Sequence, residues 1–500
     1  MDAEIELKLF FQLEQQEALI QLLDNLPHSE PQWCRNLTNA YFETPDLQLR
    51  RWDMGLRVRG CDGALEQTIK TAGSVIGGIH SRPEFNVDID QNFPILSLFP
   101  EKIWPDKSII SSVQSKLTCL FHTDFTRRTW HIYVDNSLIE VALDVGQIAV
   151  DVAGEQRVEP ICELEFELMA GEAQALIKLG RQVAQSLPVR LGKASKAQRG
   201  YRLAAQASPL SLEVLEFITL KPEQDLKQTL IDLLSTGLER WQLLEAMILE
   251  SDSALDKQLP TLCYRLRACI RLLRCTLAQF ELLSAELTSK FDCIEAHLEF
   301  VESSLSCVEI LKERSLLISK LPQSKTLTEL VSTQLLLLSI PQRVGKMLDD
   351  LCYGGLQLSL VELLFAFKSG QQTLDSESSL QAFADKMQEA SWLRIVNLMP
   401  SEMDLSSTDY QDVARALDES VFVGVAYGGL YSAKSRDLFR LPWQDLVLGI
   451  RTLAAYRKLA ELSQENGIDI SQWLTNKEDS LLFAMEHSRR TALKNEPYWR

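Results

Sequence analysis

Across the first two hundred residues, short stretches alternate side chains with a period of two, and one of the two faces is repeatedly ionic. Successive side chains of an extended chain point to opposite sides. In EIELK at 4–8 this puts Glu4, Glu6 and Lys8 on one side and Ile5 and Leu7 on the other. GLRVR at 55–59 sets Arg57 and Arg59 against Leu56 and Val58, and EQTIK at 66–70 groups Glu66, Thr68 and Lys70. RPEFNVD at 82–88 groups Arg82, Glu84, Asn86 and Asp88, while CELEFEL at 162–168 opposes Glu163, Glu165 and Glu167 to Cys162, Leu164, Phe166 and Leu168. With similar stretches at 124–134 and 138–146, the pattern predicts β-strands joined by turns at CDG (61–63), TAGSVIGG (71–78) and VAGE (152–155), with helices at 12–26 and 171–187. Strand following strand over short links implies an antiparallel meander, and about seven or eight strands suffice to close a barrel.

A sheet with one face in water would account for any single strand of this kind. The set demands more: two strands carry paired carboxylates and others carry paired long cations. If the ionic faces converge inside a barrel they must be neutralised, because a buried isolated ion is strongly disfavoured. A polyphosphate with divalent metal ions would neutralise both halves, with carboxylates holding hard cations and Arg and Lys holding phosphate oxygens. An eight-stranded lumen has room for one small ligand of that kind.

After about residue 210 the pattern becomes helical, with Leu-rich segments at 224–250, 259–288, 290–319 and 327–350 and expected breaks near Pro260, Pro322, Pro341, Pro400 and Pro442. The expected fold class is multidomain α+β: a closed eight-stranded antiparallel barrel over 1–202, a linker over 203–215, and an all-α bundle over 216–500 whose two halves meet near 375. Arg267, Arg271 and Arg274 form one helical stripe, read as solvated or internally paired rather than as a binding site. Trp392, Trp443, Trp473 and Trp499 are read as packing residues.

The formal net charge of -18 argues against a general nucleic-acid-binding surface. The N-terminus lacks a basic start and an apolar run, and no run reaches the roughly 18 apolar residues of a spanning helix. The ten cysteines are scattered without CxxC pairs, so the expectation is a cytoplasmic protein with no membrane association. No phosphate loop, nucleophile elbow or HExxH metal motif is present.

Taken in order, Glu4-Ile5-Glu6-Leu7-Lys8, YFETPD at 41–46, GLRVR, QTIK, GGIHSRPE, TDFTR, LIEVALDVG, ICELEFEL and SKAQRGY resemble the triphosphate tunnel metalloenzymes, also called CYTH proteins. The chain is similar in particular to bacterial inorganic triphosphatases that carry a C-terminal CHAD domain. Glu43 departs from the family, which usually has Asp there.

The resemblance implies hydrolysis of inorganic triphosphate to pyrophosphate and phosphate with two divalent ions, Mg2+ or Mn2+. Glu4, Glu6, Asp144, Glu163 and Glu165 would be the metal set. Lys8, Arg57, Arg59, Lys70, Arg82, Arg127 and Lys196 would bind substrate, and Glu4, Lys8 and Glu165 would serve catalysis, with Glu4 or Glu165 as general base. Longer polyphosphate is a further candidate partner, through the helical domain. Alternatives are a nucleotide or thiamine chemistry in the same tunnel, as in class IV adenylyl cyclases and thiamine triphosphatases, or non-catalytic polyphosphate binding.

Overall fold

The structure, a computed structural model, describes residues 4–76, 78–207, 210–250, 258–312, 318–321, 323–374 and 378–500. The expected break at Pro322 and the expected junction near 375 lie outside the described residues. The chain divides into two compact units, one of residues 1–210 with 348–366, the other of residues 211–347 with 367–500.

The first unit is built on β1 (Glu4–Phe10), β2 (Ser29–Glu43), β3 (Gly55–Cys61), β4 (Ala64–Lys70), β5 (Ser74–Ile76), β6 (Ile79–Arg82), β7 (Glu84–Ile89), β8 (Thr118–Val134), β9 (Ser137–Val152), β10 (Glu155–Ala170) and β11 (Arg190–Leu191). They run antiparallel in the order β5-β6-β1-β10-β9-β8-β2-β3-β4-β7, with β11 beside β1. The expected closed eight-stranded barrel is thus a curled, open sheet of eleven strands. Pro83 is the physical reason. Proline has no N–H to give to a ladder, and through it the chain passes from β6, paired with β1, to β7, paired with β4 at the opposite end of the strand order. The seam is spanned instead by Thr71 N–H donating to the Pro83 carbonyl at 3.1 Å and by Lys70, whose Nζ lies 2.6 Å from Glu4 and 2.7 Å from Glu84.

Within the TAGSVIGG segment Ser74–Ile76 is β5, which pairs antiparallel with β6. β2 is a strand that alternation does not reveal, because most of its first eight residues are exposed. It is fixed by pairing with β8 and β3.

The apolar core lies behind the ionic face. Leu7, Leu9, Leu164 and Phe166 are buried, as are Leu176, Ile177 and Val183 of helix Gln174–Ser186, which packs on β1 and β10. Leu56, Val58 and Ile69 form a second cluster with Leu96, Phe99, Trp104 and Val113. Helix Leu351–Lys368 is long and apolar enough to cross a membrane by length and composition. Through Ala366 it is instead part of this unit, which removes 348–366 from the contiguous helical domain expected over 216–500. Gly354 lets it approach: a Cβ there would sit 1.8 Å from the Val189 carbonyl oxygen. Gln357 Oε1 accepts the Leu191 N–H at 2.8 Å, satisfying a buried amide of β11.

The second unit is helical. Pro260 lies in the first turn of helix Leu259–Gln279, where proline costs no hydrogen bond. Pro442, expected to break a helix, lies within the continuous helix Ala433–Glu465. It leaves the Leu438 carbonyl without its helical donor, and Asn495 Nδ2 donates to that carbonyl at 3.3 Å. The arginine stripe is internally paired: Arg267 with Glu302, Arg271 with Glu295 at 2.8 Å, and Arg274 with Asp292 at 2.6 Å.

Gly354→Val should overpack the contact with Val189 and cost about 1–3 kcal/mol. The expected readout is faster hydrogen exchange at the Leu191 amide with little change at Leu164, and unchanged exchange at Leu191 would show that the close approach is not needed.

Candidate functional site

Register places the ionic residues with little freedom. β1 pairs with β10 so that Lys8 stands opposite Glu165 and Glu6 opposite Glu167; β10 pairs with β9 so that Glu163 stands opposite Asp144; β9 pairs with β8 so that Asp144 stands opposite Arg127. Lys196 comes from a helix rather than a strand. The SKAQ sequence forms a capping box, with Ser195 Oγ accepting from Gln198 N–H at 3.2 Å and Gln198 Oε1 accepting from Ser195 N–H at 3.0 Å. Lys196 is the first residue of that helix, Lys196–Leu203, so the cap fixes where its side chain leaves the backbone. At Gly200 a Cβ would lie 2.1 Å from the Phe121 ring, and this lets the helix sit against the sheet.

Two ionic clusters result. In the first, Lys8 Nζ lies 3.1 Å from Glu163 and 2.8 Å from Glu165. Lys196 Nζ pairs with Glu163 and lies 2.6 Å from Asp144 and 3.0 Å from Glu165. Arg127 forks onto Asp144 through two bonds of 2.7 Å and reaches Glu165 at 2.5 Å. Asp144 and Glu163 have no exposed surface. Burial alone would raise the Asp144 and Glu165 carboxyls. Arg127 and Lys196 hold Asp144 below its ordinary range, and Lys196, Lys8 and Arg127 hold Glu165 well below. Arg199 extends this network to Glu163 at 3.3 Å and Glu159 at 2.6 Å.

The second cluster sits at the seam. Burial and a hydrogen bond with Glu84 push Glu4 up to about 8, against the pull of Lys70. Glu84 moves the other way: against burial, the bond from Glu4 and the charges of Arg57 and Lys70 lower it. Both carboxyls touch Lys70, and they shift in opposite directions as one coupled pair. Arg57 lies 3.2 Å from Glu84.

Arg59 is less well compensated. It donates to Asn39 Oδ1 at 2.9 Å and pairs with no carboxylate among the described residues; burial, Arg57 and Arg127 push it down to about 9. Elsewhere in the sheet, Arg57 Nε, Arg82 Nε, Thr68 Oγ1 and Thr123 Oγ1 are buried without partners. Buried donors left unmade are costly, and so many in one sheet call for a ligand rich in acceptor oxygens.

Of the residues expected to hold metal, Asp144, Glu163 and Glu165 each present an oxygen, all within 4.8 Å of one another. That spread suits one hard divalent cation coordinated at roughly 2.0–2.6 Å. Glu4 belongs to the seam cluster and gives no oxygen to this group. Glu6 lies on the same face of β1, opposite His80 of β6, with no ion pair among the described residues.

The alternation that groups Glu84 with Arg82 extends two residues back to His80, and the SKAQRGY motif supplies Arg199 with Lys196. Neither signal could have found Asn39 or the role of Glu43. Glu43 is a buried scaffold group: it accepts from the backbone N–H groups of Thr44, Leu49 and Arg50 at 2.7, 3.0 and 2.9 Å and from the Tyr201 hydroxyl at 3.1 Å.

Residues 2–201 match the family of the CYTH domain. The first unit contains a CYTH domain. Over 170 residues the chain is 38% identical to the inorganic triphosphatase of Haemophilus influenzae, a match covering 34% of this chain and 46% of that relative, so the chain spans less than half of the relative's length. A solved structure from Hippeastrum, described as revealing a dominant triphosphatase activity, is 16% identical, covering 39% of this chain and 92% of that one with a TM-score of 0.28. The CHAD domain of Ricinus communis is also 16% identical, covering 58% and 98%, with a TM-score of 0.44.

The carboxyls of the CYTH domain that are held low contribute stability above their unfolded pKa, about 4, and lose it as pH falls through the folded value. In the presence of chelator, Asp144→Asn should therefore lower the unfolding free energy measured in urea at pH 7 by about 3 kcal/mol or more, and progressively less toward pH 3. A gap that stays constant with pH would show that the Asp144 charge is not stabilising.

Proposed function

We propose that the CYTH domain hydrolyses inorganic triphosphate to pyrophosphate and phosphate with the help of a divalent ion. The observation that carries this reading is the juxtaposition of a three-carboxylate cluster with buried cationic and neutral donors that lack acceptors. A pure anion grip gains nothing from carboxylates beside its ligand. The 38% identical relative, an inorganic triphosphatase, supports the same reading.

In this proposal Asp144, Glu163 and Glu165 would hold a metal ion, which when bound supplies Lewis-acid polarisation of a phosphoryl oxygen and a more acidic water. Arg57, Arg59, Lys70 and Arg82 bind the non-bridging oxygens and stabilise the charge of a loose transition state. Lys8, Arg127 and Lys196, now paired with carboxylates, exchange part of that pairing for phosphate. The water oxygen bonds to a terminal phosphorus as the bond to the bridging oxygen breaks, and the electron pair leaves with pyrophosphate. The proton of the attacking water goes to one of the two candidate bases: Glu165, which is ionised but accepts from cations through both oxygens, or Glu4, which must first lose its own proton and which already accepts from Lys70. Enclosure by the curled sheet suits a short phosphate chain.

Phosphate release from inorganic triphosphate should require Mg2+ or Mn2+ and should exceed release from ATP and pyrophosphate measured alongside. Glu165→Gln should lower turnover by on the order of a hundredfold or more while circular dichroism stays unchanged. Preferential turnover of ATP would move the assignment to a nucleotide-using tunnel enzyme, and chelator-insensitive binding of polyphosphate without turnover would make the domain a grip.

A further inference from the structure

β11 is only two residues long, Arg190–Leu191, so its place depends on what flanks it. On one edge it pairs with β1 at Leu9 and Phe10, and one residue further on the Gly192 N–H donates to the Lys8 carbonyl at 2.8 Å. Gly192 also bounds the Lys8 side chain. A Cβ there would lie 2.8 Å from Lys8 Cγ and 3.2 Å from the Phe10 ring, so the stem of Lys8 runs against this backbone on its way to Glu163 and Glu165.

Successive amides of an extended segment point to opposite edges. With the Gly192 N–H directed at β1, the Leu191 N–H faces the other way, and its acceptor is Gln357 Oε1 at 2.8 Å. Gln357 has no exposed surface and belongs to the helix Leu351–Lys368. That helix is seated on the same region of the first unit. The Val189 carbonyl occupies the space a Cβ at Gly354 would take, and Arg181 pairs with Glu362. A Cβ at Gly180 would lie 3.7 Å from Leu358 of the helix and 2.8 Å from Leu7 of β1. β11 is therefore clasped between the strand that carries Lys8 and a helix that supplies no member of either ionic cluster.

A lysine ammonium acts as a point charge on a flexible stem, so its contribution depends on where the stem directs it. We propose that Gln357 is a positioning residue for Lys8: by holding the Leu191 amide it fixes β11, and β11 fixes the path of the Lys8 side chain toward Glu163, Glu165 and the phosphate chain. The effect on turnover rests on the triphosphatase reading above, whereas the link from Gln357 to Lys8 does not.

The test uses the full chain with heavy nitrogen at the lysine Nζ positions. The Lys8 ammonium resonance is assigned by its loss in Lys8→Arg, which keeps a positive charge among the buried carboxylates. Gln357→Met removes the acceptor with little change of length. Expected are a shifted Lys8 resonance, faster hydrogen exchange at the Leu191 amide, an unmoved Lys70 resonance, and turnover of inorganic triphosphate about tenfold lower. In the Lys8→Arg background the same replacement should change turnover by less than about twofold. Gln357→Glu keeps an acceptor oxygen at the same reach and should leave the Lys8 resonance at its wild-type position. A Lys8 resonance that stays in place in Gln357→Met would overturn the proposal. So would a loss of turnover that is equally large in Lys8→Arg, because the effect would then bypass Lys8. If Gln357→Met does not fold, Gly354→Ala disturbs the same clasp through Val189 and is read by the same resonances. A wild-type chain that turns over no triphosphate would overturn the triphosphatase reading alone, and the lysine resonances would still decide the link.

Discussion

Three carboxylates and three cations share one buried location in the CYTH domain, and no one of them is tolerable there alone. Asp144 and Glu163 are fully enclosed, and Lys8 and Lys196 nearly so. Each charge is held by partners that arrive from different elements: β1, β8, β9, β10 and the capped helix at Lys196. Removing one partner would strand another, which is far more costly than never having buried the pair. The register of four strands is thereby coupled to the position of one helix.

This arrangement inverts the usual placement of a sheet protein's core. Apolar side chains pack behind the sheet against Gln174–Ser186 and the 92–117 segment, leaving the ionic face to the interior of the curl. The helix Leu351–Lys368 completes the support from a distant part of the sequence, with Gln357 satisfying a backbone amide that β11 would otherwise bury unpaired. Glu43 does similar work, tying the short helix Gln48–Arg51 to Tyr201.

Much of the first unit was legible because alternation is a local signal: Glu4, Glu6 and Lys8, or Glu163 and Glu165, declare a shared face within a few residues. The order of motifs then identified the domain. What could not be read was non-local. Pro83 opens the sheet only because its two flanking strands pair at opposite ends of the strand order, and nothing near 351–368 announces a partner near residue 190. The break expected at Pro442 failed for the same reason, since the carbonyl it frees is met by Asn495, far along the chain. The residues expected to hold metal also lie apart: Glu4 pairs across the seam with Lys70, while Asp144, Glu163 and Glu165 gather elsewhere.

The seam at Pro83 carries a thermodynamic consequence. Where a closed barrel would have a ladder of backbone bonds, this sheet has Lys70 reaching both to Glu4 of β1 and to Glu84 of β7. Lys70 is therefore both a clasp between the two flanks and a cation facing the interior. An anion that recruits it draws on the same ammonium that holds the flanks together, so the girth of the curl and the affinity for that anion are linked functions. Linkage makes the coupling reciprocal: whatever loosens the flanks alters the affinity by the same free energy with which the anion alters the flanks.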